Sequence, residues 1–192
     1  MKSENKDKVI TIPNILSFFR ICLIPIIVWL YIVEEKPKEA GFVLILSGIT
    51  DITDGFIART FNMTSDLGKV LDPIADKLTQ ATMLICLLVR FPLMIITFLV
   101  LIVKEIYMGL SGLLIIKKTG IVLGAQWHGK AATALLYSMM IIHLFWPNIT
   151  KTISNIFIFA CTVMIIVSFI LYAIRNTKAL KQNMGFDKEL HR

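Results

Sequence analysis

Six stretches of this chain are apolar enough for the hydrocarbon core of a bilayer, and they restrict the fold before any other feature does. They cover residues 13–33, 40–54, 72–89, 93–116, 130–146 and 153–174. A spanning helix takes about 20 apolar residues; the second stretch is short by that measure and is expected to run on to residue 58. Lipid offers backbone groups no partners, so each span must satisfy its own N–H and C=O groups as a helix. With 56% hydrophobic residues and a mean hydropathy of +0.76, the chain exceeds the roughly 45–50% apolar content of soluble domains. The expectation is an all-α integral membrane protein with six transmembrane helices. It forms one domain over residues 1–192, with polar cytoplasmic tails at 1–10 and 176–192.

The formal charge of +7 matters less than its placement. Lys and Arg gather at the start, between spans two and three, between four and five, and at the end. Only Lys36, Lys38, Arg90 and Lys151 fall on the other side. Loops retained in the cytoplasm keep Lys and Arg, so both termini are expected inside the cell membrane. The basic tails suit an anionic lipid surface as partner, not nucleic acid. The first span carries Arg20 and Pro25 and lacks a small-residue cleavage site, so it reads as a retained helix and not a signal peptide. Cys22, Cys86 and Cys161 are scattered over three spans without metal or disulfide spacing and read as packing residues.

Between the second and third spans the sequence DITDGFIARTFNMTSDLGKVLDPIADK sets acids against apolar neighbours. Asp51 and Asp54 are spaced i, i+3, and Asp72 and Asp76 are spaced i, i+4, so each pair shares a helix face. Buried carboxylates repel one another unless cations compensate them. Oxygen donors without Cys or His suit Mg²⁺, Mn²⁺ or Ca²⁺, not zinc. Gly55, Ala58 and Gly68 leave room for a close ligand, and Arg59 offers a planar fork for phosphate. Metal, arginine and open backbone together describe a pyrophosphate cradle. Asp66 reads as a helix cap or loop residue, and Pro73 is placed in the first turn of the third helix, a start near Ser65 being the alternative.

The pattern Asp51-x-x-Asp54-Gly55-x-x-Ala58-Arg59, with Gly68, Asp72 and Asp76 at their spacings, resembles the signature of the CDP-alcohol phosphatidyltransferases at every position. The opening TIPNILSFFRICLIP and the LDPIADK segment resemble the bacterial phosphatidylglycerophosphate synthase branch, which has six transmembrane helices and forms dimers. The resemblance implies transfer of a phosphatidyl group from CDP-diacylglycerol to an alcohol with release of CMP. It implies that Asp51, Asp54, Asp72 and Asp76 hold divalent Mg²⁺ or Mn²⁺, with Asp76 also the base that takes the acceptor's proton. Asn14, Gly55, Ala58, Arg59 and Gly68 would line the CDP and phosphate site.

The acceptor is read from outside the signature. Lys104 and Glu105 lie within the fourth span, where charge marks a site or an internal pair. Relatives that use glycerol 3-phosphate carry Arg-Glu there and a further arginine, where this chain has Gly112. In WHGKAAT, Ala132 stands where they have a second lysine. Glycerol 3-phosphate is the first expectation, with Arg20, Lys104 and Lys130 as acceptor-binding cations. Phosphatidylglycerol, as in CMP-forming cardiolipin synthases, is the second. His128 either orients a phosphate or is a satisfied polar residue, and His143 is expected to pack. Two other classes are weighed. A UbiA-type prenyltransferase has two separated acidic motifs and releases pyrophosphate. A cation transporter needs polar groups across the whole membrane, whereas these acids cluster at one end.

Overall fold

The computed structural model describes residues 11–61, 66–120 and 123–190, without the side chains of Arg59, Asp66, Leu67, Lys69 and residues 181–190. These residues form six helices and, among them, no strand: α1 (Ile12–Val28), α2 (Pro37–Thr60), α3 (Asp66–Leu88), α4 (Met94–Thr119), α5 (Trp127–Phe145) and α6 (Lys151–Leu190). α1 continues directly into a π-helical turn, Trp29–Val33. Four helical stretches are long and apolar enough to cross a bilayer: Ile12–Val33, Pro37–Ala58, Met94–Thr119 and Lys151–Leu180. α3 and α5 do not reach that measure among the described residues. α3 carries Asp72, Asp76 and Lys77 in its first half, and α5 carries His128, Lys130 and His143. The chain is thus a multi-pass helical membrane protein in which four of the six described helices meet that measure.

Local chemistry sets the helix ends. Thr11 caps α1 by accepting the Asn14 backbone N–H at 3.4 Å, and Pro13 stands in the first turn, where its missing N–H is not required. α4 ends on Gly120, whose left-handed φ of 66° lets its N–H reach the Ile116 carbonyl at 2.9 Å. Placing Pro73 in the first turn of the third helix is corrected: α3 begins at Asp66 and Pro73 lies inside it. Residues 66–71 are too polar for hydropathy to mark, although a helix forms through them. Beyond Asn176 the chain continues α6 through Leu190.

The helices fall into two compact units, residues 1–92 with 140–149, and residues 93–139 with 150–192. In the first, α1 packs against both α2 and α3, around Leu23, Ile27, Leu44, Met83, Leu84, Leu87 and Leu144. Gly41 makes close packing possible: a Cβ there would stand 2.7 Å from the ring of Phe145. Phe42 meets that ring edge-on at 5.0 Å, and His143, buried as expected, meets Phe91 at 4.6 Å.

In the second unit α4 packs against α6. Hydroxyl and amide side chains tie the two helices: Thr97 to Thr162 at 2.7 Å, and the Asn176 amide donating to Ser111 Oγ at 2.8 Å. In lipid, where apolar contact between helices adds little, such bonds are each worth about 0.6–2 kcal/mol. Many large apolar side chains face outward, among them Ile52, Val89 and Phe159, each more than 70% exposed. A surface of this kind suits lipid and not water. Cys86 and Cys161 are buried, whereas Cys22 joins the exposed set.

Candidate functional site

α1 is apolar except for one stripe, Asn14, Ser17 and Arg20, at successive i, i+3 positions. All three are buried, Arg20 to 1% exposure. A buried polar stripe on a spanning helix must face polar partners, and the flanking helices supply them. Arg20 Nη2 donates to Asp54 Oδ2, and Nη1 lies 2.8 Å from Asp51 Oδ1 as an ion pair. Arg20 Nε has no hydrogen-bond partner among the described residues. From the same stripe Ser17 Oγ donates to Asp72 Oδ1 on α3. The i, i+3 pair on α2 therefore shares one guanidinium, as its helical spacing allows. Asp54 is buried and Asp51 is open on one side.

On α3, Asp76 is held by its own helix. Gln80 Nε2 donates to both carboxylate oxygens, at 3.0 and 2.9 Å, and Lys77 Nζ stands 3.8 Å from Oδ2. The charges of Asp72 and Asp76 reach Asp51, and that of Asp72 reaches Asp54. Among the described contacts, Arg20 faces Asp51 and Asp54, and Lys77 stands beside Asp76. Hard oxygen donors gathered in this way suit a divalent ion. Among the described residues, however, no three of His, Cys, Asp and Glu stand in one metal-holding group. The acids occur as pairs on the two helices that pack against α1, and the α1 stripe contacts both helices.

Of the other residues named from sequence, Gly55 and Ala58 are half-buried on α2 and Gly68 is buried in α3. The Arg59 and Asp66 side chains lie outside the described residues. Asn14 is buried at the α1 start. Arg20, named as an acceptor-binding cation, is found on Asp51 and Asp54. Ser17 and Gln80 escaped the sequence reading. Their signal was positional: Ser17 lies midway between Asn14 and Arg20, and Gln80 lies one turn beyond Asp76.

In the second unit Lys104 is buried beside Glu105, with Nζ 3.4 Å from Oε1, the internal pair weighed above. Lys130 is exposed and Ala132 is buried. His128 is buried, with Nδ1 3.1 Å from Ser168 Oγ and its ring against Tyr172 at 4.5 Å. Burial, followed by repulsion from Arg175 and Lys104, holds His128 below its ordinary value of 6.5. The folded chain thus prefers neutral imidazole, while the unfolded chain takes up a proton first as pH falls. Stability from this group is complete above the unfolded value and is lost as pH falls toward the lowered folded one. We expect the melting temperature in detergent to drop as pH falls below the ordinary imidazole value of 6.5, and His128→Asn to flatten that drop. Parallel profiles for the two proteins would exclude His128 as its source.

Comparison with known proteins identifies the family. The family model described as CDP-alcohol phosphatidyltransferase matches residues 10–174. A CMP-forming cardiolipin synthase from Streptomyces coelicolor is 42% identical over 104 residues, 52% of this chain and 48% of the relative. A CDP-diacylglycerol–glycerol-3-phosphate 3-phosphatidyltransferase from Aquifex aeolicus is 26% identical over 175 residues, 88% of this chain and 97% of the relative. A cardiolipin synthase and mitochondrial hydrolase fusion protein from Schizosaccharomyces pombe is 44% identical over 85 residues, 44% of this chain and 14% of the relative. The chain thus spans under half the length of the Streptomyces and Schizosaccharomyces relatives. With the signature acids on α2 and α3 and a match over most of its length, the chain belongs to the CDP-alcohol phosphatidyltransferase family.

Proposed function

We propose that the chain transfers the phosphatidyl group of CDP-diacylglycerol to an alcohol and releases CMP. The observation that carries this reading is the set of four signature aspartates on α2 and α3, held in defined orientations by Arg20, Ser17 and Gln80. In the reaction the acceptor hydroxyl attacks the β-phosphorus, a new P–O bond forms, and CMP leaves with the electrons of the broken one. Asp76 takes the hydroxyl proton, its carboxylate aimed by Gln80. Asp51, Asp54, Asp72 and Asp76 would hold Mg²⁺ or Mn²⁺, which supplies charge neutralisation on the diphosphate when bound. Gly55, Ala58 and Gly68 leave backbone room for the nucleotide, and Arg59 and Asn14 serve its phosphates.

The same reading takes α3 and α5 as crossing helices in addition to the four long spans. It sets both termini and the aspartates on the cytoplasmic side of the cell membrane, within a homodimer. Glycerol 3-phosphate is the acceptor we favour, because the Aquifex relative of that name aligns over nearly its whole length. Phosphatidylglycerol is favoured by a different observation: Ala132 is buried, and Lys104 is paired to Glu105. Fewer cations are then free for an acceptor phosphate, as suits an acceptor without a phosphate monoester. Purified protein given CDP-diacylglycerol with each acceptor in turn should release CMP and form the corresponding lipid, and a chelator should abolish both. Release of pyrophosphate, or cation flux into liposomes without CDP-diacylglycerol, would reject the reading.

A further inference from the structure

The first unit contains a second polar site that the reaction does not use. A cavity of about 250 Å³ is lined by Tyr31, Ile32, Glu35, Pro37, Val89 and Arg90. It lies far from the aspartates: Asp51 is fourteen residues along α2 from Pro37, roughly 21 Å at 1.5 Å per residue. Three features of its wall are unusual. The Tyr31 hydroxyl is enclosed, in a residue 7% exposed, and has no hydrogen-bond partner among the described residues. A buried donor left unmatched is costly, yet this one sits in a π-helical turn, a form that often marks functional sites.

Glu35 follows that turn with φ of 53°, the left-handed conformation that usually selects Gly at a helix end. The Lys36 N–H closes over it onto the Leu30 carbonyl at 2.9 Å. Termination alone does not call for a carboxylate there, and the strained backbone presents one to the cavity. The third feature is Arg90, which also lines the cavity and is near enough for its field to act on Tyr31. The remaining walls, Ile32, Pro37 and Val89, are apolar.

An anion is called for by Arg90 and the Tyr31 donor, a hydrogen-bond donor by Glu35, and an alkyl portion by the rest. We propose that this cavity binds the headgroup of a membrane phospholipid: a phosphodiester on Arg90 and Tyr31, with its terminal amine on Glu35. The volume is below the roughly 300–1,000 Å³ of sites for drug-sized ligands, which suits a headgroup whose acyl chains lie outside against the exposed apolar surface.

The test uses the full-length chain stripped of lipid in detergent and titrated with phosphatidylethanolamine under native mass spectrometry. Arg90→Gln should weaken binding roughly tenfold or more, and Tyr31→Phe about fivefold. Lipid-free Tyr31→Phe should melt no lower than the wild type, because the lost hydroxyl had no partner. Glu35→Gly should weaken binding while raising the melting temperature, since glycine relaxes the backbone; a residue serving only helix termination would leave the Kd unchanged. Arg90 also follows the C-terminus of α3, where a cation steadies the helix dipole, a role that changes melting but not lipid affinity. Asp76→Asn should bind the lipid as the wild type does, which separates this site from the catalytic reading. Wild-type affinity in both Arg90→Gln and Tyr31→Phe, or equal affinity for diacylglycerol, would overturn the proposal. Equal affinity for soluble glycerophosphoethanolamine would overturn the membrane lipid as occupant.

Discussion

Asp76→Asn is expected to lower CMP release by roughly 10²–10⁴-fold while CDP-diacylglycerol still binds measurably. The substitution keeps the shape of the side chain and leaves one oxygen to accept from Gln80, so the local helix should stand. It removes the basic oxygen that takes the proton and one negative charge beside the diphosphate. Both losses fall on the transition state more than on substrate binding, so kcat should carry most of the change. A direct binding measurement with a non-reacting CDP-diacylglycerol analogue separates the two effects. Turnover near that of the wild type would remove Asp76 as the base. Gln80→Leu, which releases the carboxylate without changing it, should give a smaller loss of kcat. Its partial rescue at higher pH would mark Gln80 as a positioning residue.

Arg20→Ala should be the most destabilising single change in the first unit. Arg20 is 1% exposed and faces two carboxylates, one of them buried. Removing one partner of a buried ion pair leaves its charge uncompensated and costs about 3–5 kcal/mol. For a chain of this size that lowers the melting temperature by roughly 6–20 °C. Arg20→Lys should recover only part of it, because an ammonium lacks the fork that reaches Asp51 and Asp54 together. Adding Mg²⁺ should raise the melting temperature of Arg20→Ala more than that of the wild type, since the variant's acids have lost their cation. A variant that melts like the wild type would show that solvent, not Arg20, compensates these carboxylates.

Much of the architecture follows from local pattern, and particular residues show where that stops. Each of the six hydropathic stretches reappears as helix to within a residue at its ends, and four of the helices are long and apolar enough to cross a bilayer. The start of α3 was left open between Pro73 and a point near Ser65, since Asp66 and Lys69 interrupt the apolar run and a window tuned to lipid passes over it. The π-turn after α1 and the left-handed Glu35 left no trace either, for a helix register shift of one residue changes no periodicity that a short window resolves. Gln80 stands one turn from Asp76 and was within reach of spacing rules; it was missed because an amide has no charge to draw attention. Arg20 was named as an acceptor-binding cation, but its carboxylate partners were not foreseen.

The sequence by itself determined a helical chain for lipid and two carboxylate pairs each on one helix face, because hydropathy and the 3.6-residue period act over neighbouring residues. Only the tertiary structure decided what those pairs face. Arg20 is 34 residues from Asp54, and Ser17 is 55 residues from Asp72. Those separations close when α1 packs against both α2 and α3. No local rule selects that face of α1, because packing is a choice among whole helices, settled by the energy of burying all their surfaces together.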